Sequence, residues 1–261
     1  MKRPLLHYYD LGAPRVVAFS STRHGGYGHG AYGEFNINAY CGDDAKTIGE
    51  NREALCQLLG IGSESLVMPH QTHQTRVATI DEDFLSLSTV ERQAALEGID
   101  ALTTNVSQVC IGVSTADCIP LLLYDPEHQA VGAVHAGWRG TVSRIAQRAV
   151  SAMCATYGSH PDQLRAVIGP GISLDSFEVG QEVYDAFQAA GFAMAAISER
   201  REKWHIDLPA CNRQQLIGCG LRSEHVGLSG ICTYSQPADY FSARRLGISS
   251  GRIFNGIMLR Q

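Results

Sequence analysis

Nowhere in this sequence does an apolar run approach the roughly 18–20 residues a membrane-spanning helix requires, so no membrane partner is expected. Basic residues never gather into a long run. With a formal net charge of -5, bulk attraction to a polyanion is absent and nucleic acid is not an expected partner. Internal repeats, low-complexity tracts and Pro/Ser-rich linkers are also missing, and no shift in composition marks a place to cut the chain. One domain over residues 1–261 is the simplest organisation. The start, Met1-Lys2-Arg3-Pro4-Leu5-Leu6-His7, is positive but lacks the sustained apolar core of a secretory signal. Close cysteine pairing is lacking too: the eight thiols lie at 41, 56, 110, 118, 154, 211, 219 and 232. Reduced cysteines and a cytoplasmic setting are expected.

What is present is ordinary for a globular protein, 44% hydrophobic and 18% charged over 261 residues, enough for a substantial core. Val16 to Ser20 reads as an early strand running into a glycine-dense loop at residues 25–30. Asp43 or Asp44 is placed to cap a helix through Leu59, with Gly60 as its stop. Short strands are predicted over Thr75–Ile80, Ala101–Thr104, Val109–Val113, Ile119–Tyr124, Ala130–His135 and Arg165–Ile168. Helices are predicted over Thr141–Thr156, Gln181–Ala190 and Leu208–Ile217, the last capped by Asp207. Together these predict an α+β or α/β sandwich around a large mixed sheet flanked by helices.

Three polar interruptions of apolar sequence stand out. They are Gln71-Thr72-His73, Thr115-Ala116-Asp117-Cys118 and Val134-His135-Ala136-Gly137-Trp138-Arg139-Gly140. Two imidazoles and a thiolate supply three ligands for a zinc-type ion, and three protein ligands with an open fourth position mark catalytic rather than structural sites. The spacing is not the compact Cys-x-x-Cys or His-x-x-x-His pattern, and a single histidine in a polar motif is more commonly a surface or hydrogen-bonded residue. His70 competes with His73 for the ligand role. Asp117 reads either as a carboxylate orienting a ligand or water, or as a turn former. The other seven cysteines, Cys232 among them, read as small buried hydrophobes.

These motifs resemble the laccase-domain family, whose members have been called multicopper polyphenol oxidases and purine nucleoside phosphorylases. Ser21-Thr22-Arg23 with Gly25-Gly26, Asn51-Arg52, Ile168-Gly169-Pro170, Tyr240-Phe241-Ser242-Ala243-Arg244-Arg245 and Gly251-Arg252 add to the resemblance, which runs from roughly residue 14 to residue 259. The resemblance implies a single α/β sandwich domain with a metal site of His73, Cys118 and His135. It implies phosphorolysis of adenosine and inosine, cleavage of methylthioadenosine, and deamination of adenosine. Zinc is the implied cofactor, copper an alternative, and inorganic phosphate a co-substrate.

Each activity makes its own demand. Deamination needs an activated water and a proton carrier for the leaving ammonia, with Asp117 and His70 as the candidates. Phosphorolysis needs guanidinium forks for phosphate; Arg23 and Arg52 come first, Arg244 next, with Arg139 and Arg245 in similar segments. The glycine loop lacks the lysine and helix start of a P-loop and reads as a flexible lid. Three other readings share the residues. A copper-dependent polyphenol oxidase would call for more paired histidines than the sequence offers. A cysteine hydrolase would use Cys118 as nucleophile and His73 or His135 as base, which in this family connects to editing of cell-wall precursors. A structural zinc protein would need a fourth protein ligand, and none is evident.

Overall fold

The computed structural model describes Lys2 and residues 5–261; Met1, Arg3 and Pro4, part of the start read above for a signal, lie outside the described residues. The core is two mixed sheets stacked face to face. A five-stranded sheet takes the order Leu6–Tyr9, Val16–Ser21, Ile253–Leu259, Cys110–Thr115, Leu66–Val67. A six-stranded sheet takes the order Val226–Leu228, Arg165–Ile168, Ile119–Asp125, Ala130–Ala136, Ala101–Thr104, Val77–Thr79. A small antiparallel sheet, Glu178–Val179, Trp204–Ile206 and Ser198–Arg200, stands apart from both.

Side-chain alternation explains the layers. In Ile119–Asp125, Ile119, Leu121 and Leu123 join the cluster beneath the helices, while Leu122 and Tyr124 face the other sheet. Both faces of this strand are buried, which is why it reads as a continuous apolar run rather than an alternating one. Helix Ile145–Tyr157 lays Ile145, Ala149 and Met153 on the six-stranded sheet. Helix Ala45–Leu59 covers the outer face of the five-stranded sheet through Leu55, Cys56 and Leu59, against Phe19 and Phe254. The result is helix, sheet, sheet, helix. The predicted sandwich and mixed sheet are both present, with the strands divided between two sheets.

Local signals read from the sequence operate as chemistry requires. Asp44 accepts the Thr47 amide at the start of the first long helix, and Gly60 ends it at φ 74°. Asp207 accepts from the Ala210 amide. Two of the differences from expectation bear on the core. The helix predicted over Thr141–Thr156 is divided into Trp138–Val142 and Ile145–Tyr157 by Arg144, at φ 65°. That backbone is held because the Arg144 guanidinium lies 3.9 Å from the Phe192 ring centroid and donates to the Ala190 carbonyl. The C-terminal strand Ile253–Leu259 was not predicted, yet it lies central in the five-stranded sheet. Asn255 and Gly256 interrupt its apolar pattern. Asn255 is buried and donates to Thr115 Oγ1 at 3.0 Å while accepting from Ser20 Oγ at 2.5 Å. A Cβ on Gly256 would meet the Phe19 ring at 2.7 Å.

Candidate active site

Two chain segments cross from one sheet to the other at the same end of the sandwich. Residues 68–76 link Leu66–Val67 to Val77–Thr79, and residues 116–118 link Cys110–Thr115 to Ile119–Asp125. The first crossing carries His73 and the second carries Cys118. His135 lies near the end of Ala130–Ala136 with the parity of Val131 and Ala133, which face the inter-sheet core. The three side chains therefore meet where the sheets part. Their ligand atoms all lie within 4.8 Å of one another, with His73 exposed, Cys118 half-buried and His135 buried.

The donor set fits a zinc-type ion. Bonds of about 2.0–2.3 Å in a tetrahedron separate ligand atoms by about 3.3–3.7 Å. Cys118 Sγ and His73 Nε2 are 3.8 Å apart, and the two imidazole centroids are 4.8 Å apart at 71°. Burial pushes the Cys118 thiol up, but His135 and His73 more than reverse this and bring it to about 6. Burial likewise pushes the His135 imidazole down, and Cys118 with Asp100 raises it to about 9. A soft thiolate is thus available at neutral pH.

Asp100, which the sequence reading passed over, organises the trio. It is fully buried, and its Oδ1 lies 2.7 Å from His135 Nδ1, leaving Nε2 of that ring for an ion. The same carboxylate accepts the amides of His73 at 3.0 Å, Gln74 at 2.8 Å and Thr72 at 3.3 Å. These amides steady the His73 backbone at φ 62°, an uncommon conformation for a non-glycine residue. Burial raises the Asp100 carboxyl, and the hydrogen bond and charge of His135 outweigh that and hold it below the usual range. A signal did exist: Asp100 interrupts Ile99-Asp100-Ala101-Leu102, the same kind of polar break that marked the trio. Gly137 completes the shape, since a Cβ there would stand 2.9 Å from the His73 ring and 3.0 Å from Cys118 Sγ.

The trio opens into a cavity of about 370 Å³, walled also by Asn38, Tyr40, Cys41, His70, Gln71, Ser114, Thr115, Ala116, Ala243, Ile248 and Arg252. Among the described residues no carboxylate lines it. Arg252 is the one guanidinium in that wall; its Nη1 and Nη2 donate to carbonyls of Ser250, Gly251 and Ile248. Among the described residues no carboxylate pairs with this guanidinium, which lies in a wall that carries no acidic side chain.

The other predicted residues lie elsewhere or are otherwise engaged. Asp117, at φ 84°, accepts from the Thr233 hydroxyl and the Arg244 amide, both at 2.7 Å. Its carboxylate ties the 233–244 segment to the Cys118 turn. Arg23 donates to the carbonyls of Gly33, Pro237 and Gly30, and Arg244 to the Glu178 carbonyl, and neither residue lines the cavity. Arg52 lines a neighbouring cavity of about 590 Å³ that touches the first only through Tyr40. Arg139 lies over the Trp138 ring and Arg245 over Tyr234. The glycine loop is fastened rather than free: Asn51 accepts the Tyr27 amide and donates to the Glu34 and Asn36 carbonyls, while Arg23 holds Gly30 and Gly33. Cys232 is buried against Ser173 and Ser176.

Comparison with known proteins agrees with this arrangement. The family described as multi-copper polyphenol oxidoreductase laccase matches residues 17–260. The chain belongs to this family. A curated relative from Bacteroides thetaiotaomicron, named purine nucleoside phosphorylase, is 47% identical over 261 residues, covering 98% of this chain and 97% of its own length. Another family relative, named adenosine deaminase RL5 and from an unknown prokaryotic organism, is 46% identical over 245 residues, or 93% of each chain. The crystal structure of YlmD from Geobacillus stearothermophilus, 28% identical, superposes with a TM-score of 0.88 over 96% of this chain and 95% of that one. Family membership and the names of these relatives support enzyme status.

Proposed function

We propose that residues 1–261 act as one catalytic unit, a purine nucleoside phosphorylase for adenosine, inosine and methylthioadenosine that also deaminates adenosine. The observation that carries the reading is the carboxylate-free cavity joining the His73, Cys118 and His135 trio to the unpaired charge of Arg252. A wall with amides, hydroxyls and one guanidinium suits a dianion such as phosphate, which a carboxylate lining would repel. His73 Nε2, Cys118 Sγ and His135 Nε2 are the groups that would hold a zinc ion, or copper. When bound, such an ion supplies Lewis acidity at neutral pH.

The chain's own residues do the rest. Asp100 holds His135 in the tautomer that presents Nε2 and keeps the His73 loop in place. Arg252 offsets the phosphate charge beside the anomeric carbon as positive charge develops on the ribose. Gln71 braces the wall by exchanging two hydrogen bonds with the Ser114 backbone. Free cysteines throughout the described chain fit a cytoplasmic setting. No helix among the described residues is long and apolar enough to cross a membrane.

One second reading has an observation in its favour. The lowered Cys118 thiol beside His135 is also the pair a cysteine hydrolase would use. The oxidase reading has less, because one His/Cys group of this kind gathers among the described residues and multi-electron oxygen reduction calls for several. The deciding experiment incubates metal-analysed protein with adenosine, with and without phosphate, and resolves adenine, inosine and hypoxanthine. Phosphate-dependent adenine supports phosphorolysis and phosphate-independent inosine supports deamination; neither product from ion-loaded protein overturns the reading.

A further inference from the structure

His70 lies three residues before His73 and shares the cavity wall. Its ring is restrained on several sides. Nδ1 lies 2.9 and 2.8 Å from the two oxygens of Glu97. The face stacks on Tyr40, with centroids 4.0 Å apart and planes 19° off parallel. The backbone is held as well, since the His70 amide donates to the Leu96 carbonyl at 3.1 Å and the Gly98 amide donates to the His70 carbonyl at 3.0 Å. Nε2 alone has no protein partner among the described residues. A half-exposed ring fixed this closely, with one nitrogen left over on a cavity wall, has the organisation of a carboxylate-oriented acid–base group.

Resting on the phosphorylase reading, we propose that His70, oriented by Glu97, is the catalytic residue that carries a proton to the departing purine. Purines leave poorly as anions, so the base needs a proton as its bond to the sugar breaks. Asp117 is engaged by Thr233 and Arg244; His73, Cys118 and His135 are the groups that would hold the ion; and no carboxylate among the described residues lines the cavity. The balance is complete without another reactant. The C1′–N9 bond breaks with its electron pair passing to the purine, and Nε2–H of the imidazolium gives its proton to N7. A bond forms from a phosphate oxygen to C1′. Hydrogen phosphate leaves as the sugar phosphate dianion, and its proton returns to Nε2. Glu97 keeps the Nδ1 proton in place throughout, and the Tyr40 ring holds the imidazole plane.

The test compares inosine with 7-methylinosine, whose purine already carries positive charge and leaves without a proton. His70→Asn should lower kcat for inosine about 100-fold, while kcat for 7-methylinosine changes less than about threefold. Glu97→Gln should show the same pattern with a smaller loss. Zinc affinity, read by competition with a chromophoric chelator, should stay within about twofold of wild type in both variants and exclude damage to the His73 loop. Equal losses on both substrates, or no loss on inosine, would overturn the proposal while leaving the phosphorylase reading intact. Wild-type protein that forms no phosphate-dependent base from inosine would overturn both.

Discussion

Oδ1 of Asp100 lies 2.7 Å from His135 Nδ1 and accepts the His73 amide at 3.0 Å, so one carboxylate oxygen sets the aim of two histidines. Asp100→Asn keeps the volume but replaces half the acceptor capacity with a donor facing other donors. Ion affinity should fall about 10–100-fold, the usual effect of removing a group that orients a metal-binding histidine. Chelator competition measures it. Unchanged affinity would show that Asp100 stabilises the fold without setting the ligands.

Cys118→Ala separates the metal enzyme from the thiol hydrolase. The variant should bind ion far more weakly and lose both nucleoside activities. Wild-type protein stripped by a chelator should lose the same activities and regain them on adding zinc. Activity that survives stripping but not Cys118→Ala would assign Cys118 as a free nucleophile.

Gly137 adopts φ -67°, where any residue is comfortable, so Gly137→Ala tests the space alone. The new methyl would press on His73 and Cys118. Reduced ion content with a nearly unchanged melting temperature is the expected outcome. Full ion content would mean that the two ligands yield easily.

Arg252→Ala should raise the phosphate KM about tenfold or more, the loss of one charge-assisted contact, while phosphate-independent deamination of adenosine persists. Arg23→Ala should behave differently. Its guanidinium links the carbonyls of Gly33, Pro237 and Gly30, so the variant should lose stability and keep its phosphate dependence. Steady-state kinetics against phosphate, with thermal melts, distinguishes the two.

Asp125 is buried in the turn between the strands Ile119–Asp125 and Ala130–Ala136 and accepts from the Glu127 and His128 amides at 2.9 and 3.1 Å. Burial pushes its carboxyl up, and the nearby Ser159 hydroxyl, with the His128 amide and ring and the Glu127 amide, reverses the effect and holds it below the usual range. A lowered folded-state pKa contributes stability above the unfolded value of about 3.9 and loses it as pH falls through the folded value. Asp125→Asn should therefore destabilise the chain at pH 7 by about 1–2 kcal/mol, with the gap closing below about pH 4. Thermal melts at both pH values provide the check, and a gap that persists in acid would point to packing instead.

Local chemistry was legible without coordinates because it acts over a few residues. The Asp44 cap, the Gly60 stop and the strands Ala101–Thr104 and Arg165–Ile168 all follow from neighbours in the chain. The His73, Cys118 and His135 group stood out in the sequence for a related reason. A histidine or cysteine at an apolar strand end must find a partner or a cleft, so such positions stand out even when separated by tens of residues.

The placement of charge belongs to tertiary structure. Nothing within a few residues of Arg23, Asp117 or Arg244 reveals that their polar atoms meet carbonyls, an amide or a hydroxyl from distant segments. Nor does the neighbourhood of Arg252 reveal that it faces the cavity. The sequence alone marked His73, Cys118 and His135 as candidate ligands and placed many of the strands and helices, but not the strand Ile253–Leu259 or the break at Arg144. The stacking of two sheets, with chain crossings at one end, decided which side chains share the cleft. Long-range pairing sets that geometry, and local propensity carries no information about it.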